Sequence, residues 1–193
     1  MVALCLVCLA LLMLAGCSGV NQGGGSNADS SDASETVGAH MAGPVVDVNV
    51  TQEMVDSKPK PWVLTTPESA VRSYLAWTSY AYRIGQSQVA TATMTPAEEV
   101  RVDSYTQYNI QKLQLIDQTL KSITFGKPRI ESSRAIIPVK EKWTYRYVSI
   151  KKAGKTLSGP HSASYEVTYT VVKLDNGNWV VDSVKAKALG TVK

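Results

Sequence analysis

Beyond position 17 this chain has no cysteine; its three are Cys5, Cys8 and Cys17. That absence excludes a disulfide scaffold, a cysteine-ligated zinc site and a cysteine nucleophile from everything downstream. Histidine is scarce too, with only His40 and His161. His40 lies in a Gly/Ser-rich stretch, where a metal ligand is not expected. His161 sits beside Pro160 at a predicted strand start, with no partner in view for acid/base work. Phe125 is the only phenylalanine against nine tyrosines, so tyrosine must take its place in the core. Buried tyrosines then need partners for their hydroxyls.

Charge is missing from the first fifteen residues. Met1–Ala15 is almost wholly Leu, Val, Ala, Cys and Met, with no acid or base. It is shorter than the roughly 20 apolar residues needed to cross a bilayer. A short apolar run ending in small residues predicts a secretion signal, although no base precedes its apolar core. The run ends Leu14-Ala15-Gly16-Cys17, which resembles the lipobox of bacterial lipoproteins. The resemblance implies cleavage before Cys17, acylation of its thiol, and a location at the cell membrane on the extracytoplasmic face. Two or more acyl chains, at about 0.8 kcal/mol per buried methylene, make such an anchor stable.

Three parts are expected: a signal peptide over 1–16, an anchored tether and lead-in over 17–61, and one domain over 62–193. Ser18–Gly43 is rich in Gly, Ser and Asp, with few large apolar groups, and is expected to act as a flexible spacer. Val45–Val50 has the pattern of an edge strand, and Lys58-Pro59-Lys60-Pro61 closes the lead-in as extended chain. Before Trp62 there are six acids and two bases, so the net charge of +4 divides into −4 there and +8 in the domain. A basic domain beside a membrane suggests an anionic envelope polymer or lipid head groups as partner. Bases spread along strands behind an export signal argue against nucleic acid.

The domain opens with two predicted helices. Thr66-Pro67-Glu68 supplies an N-cap, an N1 proline and a first-turn acid. Val71, Tyr74, Leu75, Thr78, Ala81 and Tyr82 follow at helical spacing, and Gly85 closes the helix. Thr95-Pro96-Ala97-Glu98 matches a capping box and predicts a second helix running to about Thr119, with a weak stripe. Strands follow from Ser122. Ala135–Ile150 alternates, with Val139, Glu141, Trp143, Tyr145 and Tyr147 on one face and Lys140, Lys142, Thr144 and Arg146 on the other. Pro138 cannot donate to a ladder and marks an edge or a bulge. Lys152-Ala153-Gly154-Lys155 and Asp175-Asn176-Gly177 are hairpin turns. Between them, Ala163, Tyr165, Val167, Tyr169 and Val171 alternate with Ser164, Glu166, Thr168 and Thr170. Trp179–Ala188 is the last strand.

Helices followed by long antiparallel strands define an α+β domain, with the helices packed on one face of a strongly bent antiparallel sheet. This order and the final Asn178-Trp179-Val180-Val181-Asp182-Ser183-Val184 resemble the superfamily named after nuclear transport factor two. The resemblance spans Pro67–Leu189 and implies a cone whose concave sheet can hold a pocket, and dimerisation through the sheet. The ketosteroid-isomerase-like enzymes of that superfamily use a carboxylate base beside a tyrosine; the isomerase itself is a standard example of such a site.

Candidate chemistry is thin. Ala153-Gly154-Lys155-Thr156 is not a phosphate loop, because Ser149 stands where a glycine is required and strands flank it. Glu141 on an aromatic face is the best candidate acid/base, since burial would raise its pKa. The candidate pocket is Glu141, Trp143, Tyr145, Tyr147, Tyr165 and Tyr169. No second carboxylate joins it, so no catalytic set, metal site or cofactor is expected. The predicted role is a membrane-anchored binding or assembly module for an envelope protein or polymer. The alternative is a small-molecule pocket of carrier or lyase/isomerase type.

Overall fold

A computed structural model describes residues 47–190. Cys17, the leader and the Gly/Ser-rich tether lie outside the described residues. Helix α1 spans Gln52–Asp56, α2 Pro67–Ile84 and α3 Pro96–Gln111, with a 3-10 segment over Ser87–Thr93. Strands β1 (Gln114–Phe125), β2 (Arg129–Glu131), β3 (Arg134–Ser149), β4 (Thr156–Lys173) and β5 (Trp179–Ala188) form one antiparallel sheet in the order β1-β3-β4-β5. The short β2 pairs with β3 beyond the end of β1. This is the helices-first α+β arrangement expected from the element order.

α2 forms as its sequence predicts. Thr66 caps it reciprocally with Ser69, Pro67 opens it, and Gly85 ends it in the left-handed conformation at φ +70. Its buried residues exceed the predicted stripe, because Trp77 and Tyr80 are covered on a second side. The lead-in does that covering. Lys60 carbonyl accepts from Trp77 Nε1 at 3.2 Å, and Val55 carbonyl accepts from the Tyr80 hydroxyl at 3.0 Å. The lead-in also carries α1, which Thr51 caps. Residues 47–50 of the predicted edge strand are not a strand, although Asn49 N donates to Ile150 carbonyl at 3.0 Å; Val45 and Val46 lie outside the described residues.

Three expectations are corrected in α3 and β1. The helix ends at Gln111 rather than near Thr119, and Leu113 takes φ +58 to turn the chain. The strand therefore begins at Gln114 rather than Ser122. Pairing decides this: Gln114 to Phe125 runs against Ser149 to Val139 of β3, and Leu113 carbonyl accepts from Ile150 N. The capping box does not close. Thr95 makes no side-chain cap; its hydroxyl donates to Asp182 Oδ1 at 3.2 Å. Glu98 turns inward instead.

Pro138 is also reassigned. It lies in a central strand, paired with Thr168 of β4 without a register shift. The missing N–H faces the gap between β1 and β2, where Gly126 N donates to Pro138 carbonyl at 2.7 Å. A break in the partner strand thus replaces the predicted edge or bulge.

Both hairpin turns form as predicted. The main core lies between α2, α3 and the inward faces of β3, β4 and β5, around Ile137, Val139, Tyr169, Val171 and Val181. A smaller cluster of Met54, Ile110, Leu115, Val148 and Ile150 fastens the lead-in to the end of the sheet. Bulges at Leu120/Ser122 and Thr170/Val171 bend the strands. Among the described residues no helix is long and apolar enough to cross a membrane.

Candidate functional site

Alternation along β3 puts Glu141 inward, as predicted, but into the core and not onto a pocket wall. It is 5% exposed. Tyr169 donates its hydroxyl to Glu141 Oε1 at 2.6 Å, and Trp143 Nε1 donates to Oε2 at 2.8 Å. Burial raises the Glu141 pKa, and the two hydrogen bonds pull it back only in part. Tyr169 is pushed well above the usual phenol value by burial, then by the neighbouring carboxylate. Both oxygens of Glu141 are thus taken.

A second buried carboxylate escaped the sequence reading because the Thr95 motif suggested a cap. Glu98 is 3% exposed. It accepts from the Tyr74 hydroxyl at 2.8 Å through Oε1 and lies 3.4 Å from Arg101 Nη1 through Oε2. Burial again raises its pKa, against the lowering effect of Tyr74 and Arg101. Tyr74 packs edge-on against Tyr169, with ring centroids 6.1 Å apart. Two acid–tyrosine pairs therefore meet ring to ring inside the domain. Every buried side-chain polar atom among the described residues has a partner. Such a network specifies the packing of a tyrosine-rich core.

The other predicted pocket residues separate from Glu141. Tyr145, Tyr147 and Tyr165 are half-buried, as are Tyr82 of α2 and Tyr105 of α3. Tyr145 and Tyr147 pack edge-on at 5.8 Å, and Tyr82 and Tyr105 at 5.4 Å. Burial raises Tyr105, and the phenols of Tyr147, Tyr82 and Tyr165 raise it further. Burial, then Tyr145 and Tyr147, push Tyr165 up to about 12. These five rings form one group at the surface, where α2, α3, β3 and β4 converge. Half-buried rings fixed against one another offer apolar area with polar tips at low entropic cost.

His161 borders this group, its ring 5.3 Å from that of Tyr145. It lies within β4, not at its start, and pairs with the Ser158 hydroxyl at 2.8 Å. Between them Gly159 takes φ +105, and a Cβ there would lie 3.0 Å from Arg146 Cα, tighter than ordinary van der Waals contact. The hydroxyl–imidazole pair is exposed, and among the described residues no acid pairs with the second ring nitrogen. A nucleophilic serine requires that third group. Among the described residues no three His, Cys, Asp or Glu cluster as a metal site.

The outer face of the sheet differs in chemistry. Lys140 and Lys142 of β3 and Lys185 and Lys187 of β5 are exposed there on either side of β4, with Glu166 between Lys140 and Lys187 in register. Lys140 Nζ is 3.9 Å from Glu166 Oε1, a loose surface pair.

No family model matches the chain, and no curated protein does. One solved structure shares its fold at a TM-score above 0.5, and another is matched below that. The intermembrane-space region of the chloroplast protein ARC6 is 13% identical, with a TM-score of 0.55, covering 67% of this chain and 99% of that one. A domain of unknown function with a cystatin-like fold from Nostoc punctiforme is 16% identical, with a TM-score of 0.41, covering 67% of this chain and 82% of that one.

Proposed function

We propose that this chain is an envelope lipoprotein, acylated at Cys17 and held at the extracytoplasmic face of the cell membrane. Its domain, of the nuclear transport factor two-like type, serves as a non-catalytic docking module for an envelope protein. The observation that carries this reading is the group of five half-buried tyrosines at the convergence of α2, α3, β3 and β4. Aromatic side chains already immobilised in the free protein lose little entropy when a partner covers them. The anchor would raise the local concentration of the module at the membrane. The alternative of a lyase- or isomerase-like pocket is weakened by the occupation of both Glu141 oxygens.

The test is crosslinking in intact cells followed by purification from membranes. Tyr145→Ala with Tyr165→Ala is expected to lose the crosslinked protein while keeping the fold. Retention of the same partner by that variant would overturn the docking reading. Cys17→Ser tests the anchor separately and is expected to release the protein from the membrane fraction.

A second reading has its own observation. The four lysines of the outer sheet face suit a polyanion of the envelope, whose binding would weaken steeply with salt. Co-sedimentation with wall polymer at low and high salt distinguishes it from the tyrosine surface.

A further inference from the structure

Where α2 passes the edge strand β1, a groove of about 360 Å3 is left open. Arg72, Ala76, Ser79 and Arg83 recur every three or four residues and so share one stripe of the helix. From Arg72 to Arg83 the helix rises about 16 Å. The two small side chains between the arginines leave the space, and Leu75, Leu120 and Trp143 give it an apolar floor.

The two ends differ in charge. Arg83 is tied down: its guanidinium donates to Asp117 Oδ1 at 2.9 Å, to Ser57 Oγ at 2.8 Å and to Gln118 carbonyl at 3.1 Å. Arg72 is exposed and has no acid partner among the described residues. Its guanidinium lies over the Phe125 ring, 4.6 Å from the centroid. A ring face orients a cation without cancelling its charge. In the middle of the groove the polar groups are already satisfied: Gln118 Nε2 donates to Ser79 Oγ at 3.0 Å, and Ser79 donates to Leu75 carbonyl at 2.7 Å. One uncompensated cation thus heads an apolar trough that makes no further polar demand.

We propose that this groove binds a single-chain anionic amphiphile, its carboxylate or phosphate head on Arg72 and its tail along Leu75, Leu120 and Trp143. The volume falls at the lower end of the roughly 300–1,000 Å3 usual for small-molecule sites. The site is separate from the tyrosine surface and does not depend on it.

The experiment is calorimetric titration of the full-length protein with decyl phosphate below its micellar concentration. Saturable binding is expected. Arg72→Gln should weaken it at least tenfold, and Ala76→Trp, which fills an exposed position of the groove, should abolish it. Near-ultraviolet circular dichroism checks that each variant folds, and Ala76→Leu replaces the tryptophan variant if that one does not. Decyltrimethylammonium and inorganic phosphate should each bind far more weakly, one lacking the right charge and the other the tail. Phosphatidylglycerol vesicles separate a lipid surface from a free amphiphile: binding to vesicles but not to monomeric decyl phosphate would overturn the proposal. So would unchanged affinity in Arg72→Gln and the groove-filling variant, or equal affinity for the cationic amphiphile.

Discussion

Tyr169 and Glu141 face inward from neighbouring strands, four rows of β4 apart from strict opposition, and meet through a 2.6 Å hydrogen bond. Ile137 stands opposite Tyr169 and Tyr165 opposite Glu141, so the phenol reaches diagonally along the sheet. The hydroxyl that a tyrosine-rich core must satisfy is satisfied by the one carboxylate of β3 that alternation turns inward. Because Trp143 holds the other oxygen, removing the carboxylate orphans two donors at once. Glu141→Ala is therefore expected to cost about 2–4 kcal/mol in urea unfolding, from two unsatisfied donors and a small cavity. Glu141→Gln keeps an acceptor and should cost far less. Equal losses in the two variants would mean that the hydrogen bonds contribute little.

The same burial makes stability depend on pH in a definite direction. Glu98 and Glu141 both have folded-state pKa values above the ordinary 4.5. Above that value the native state holds protons that the unfolded state has released. Their contribution is complete below the unfolded value and is lost as pH rises through the folded one. The stability of Glu98→Gln/Glu141→Gln relative to the parent should therefore increase as pH rises from about 4.5. Urea midpoints measured for both proteins across the acid range test this, and a difference that shrinks with rising pH would refute it.

Thr95 serves the sheet and not its own helix. Its hydroxyl bonds Asp182 of β5, and its backbone N donates to Val181 carbonyl at 2.9 Å. A double-mutant cycle of Thr95→Ala with Asp182→Ala should show a coupling of about 0.5–1.5 kcal/mol. The cycle of Thr95→Ala with Glu98→Gln should be close to additive. The opposite pattern would restore the capping box.

Gly85 combines a backbone constraint with a steric one. At φ +70 any side chain is strained, and a Cβ there would lie 3.0 Å from Leu115 Cδ2 and 3.2 Å from Val48 Cγ1. Gly85→Ala is expected to lose about 1–3 kcal/mol. Hydrogen exchange should show the loss concentrated in the lead-in and the start of β1. Wild-type stability in this variant would show that the lead-in does not press on the end of α2.

Much of the fold follows from local chemistry. Thr66-Pro67 and Gly85 delimit α2, the glycine-containing turns join β3 to β4 and β4 to β5, and alternation along β4 assigns its faces. The β1 segment was not legible, for a physical reason. Ile110, Leu113, Ile116 and Leu120 fall at intervals of three and four, so their spacing continues a helix. Leu115 and Ile116 are consecutive and both buried, Leu115 in the cluster that holds the lead-in against the end of the sheet and Ile116 on the opposite face. An edge strand covered from both sides loses the alternation by which strands are recognised.

The candidate site divides along the same line. By itself the sequence determined which face Glu141 takes, the tyrosine content of the core, and the lipobox-like Leu14-Ala15-Gly16-Cys17, which lies outside the described residues. Only the tertiary structure decided how deep each residue sits. α2 packs over Glu141, Trp143 and Tyr169 and closes them in, while Tyr145, Tyr147 and Tyr165 lie where that cover ends. Period-two alternation fixes direction and carries no information about how far a helix extends over a sheet. The same is true of Glu98, whose local motif offered a cap and whose nearest hydroxyl, on Tyr74, comes from another helix.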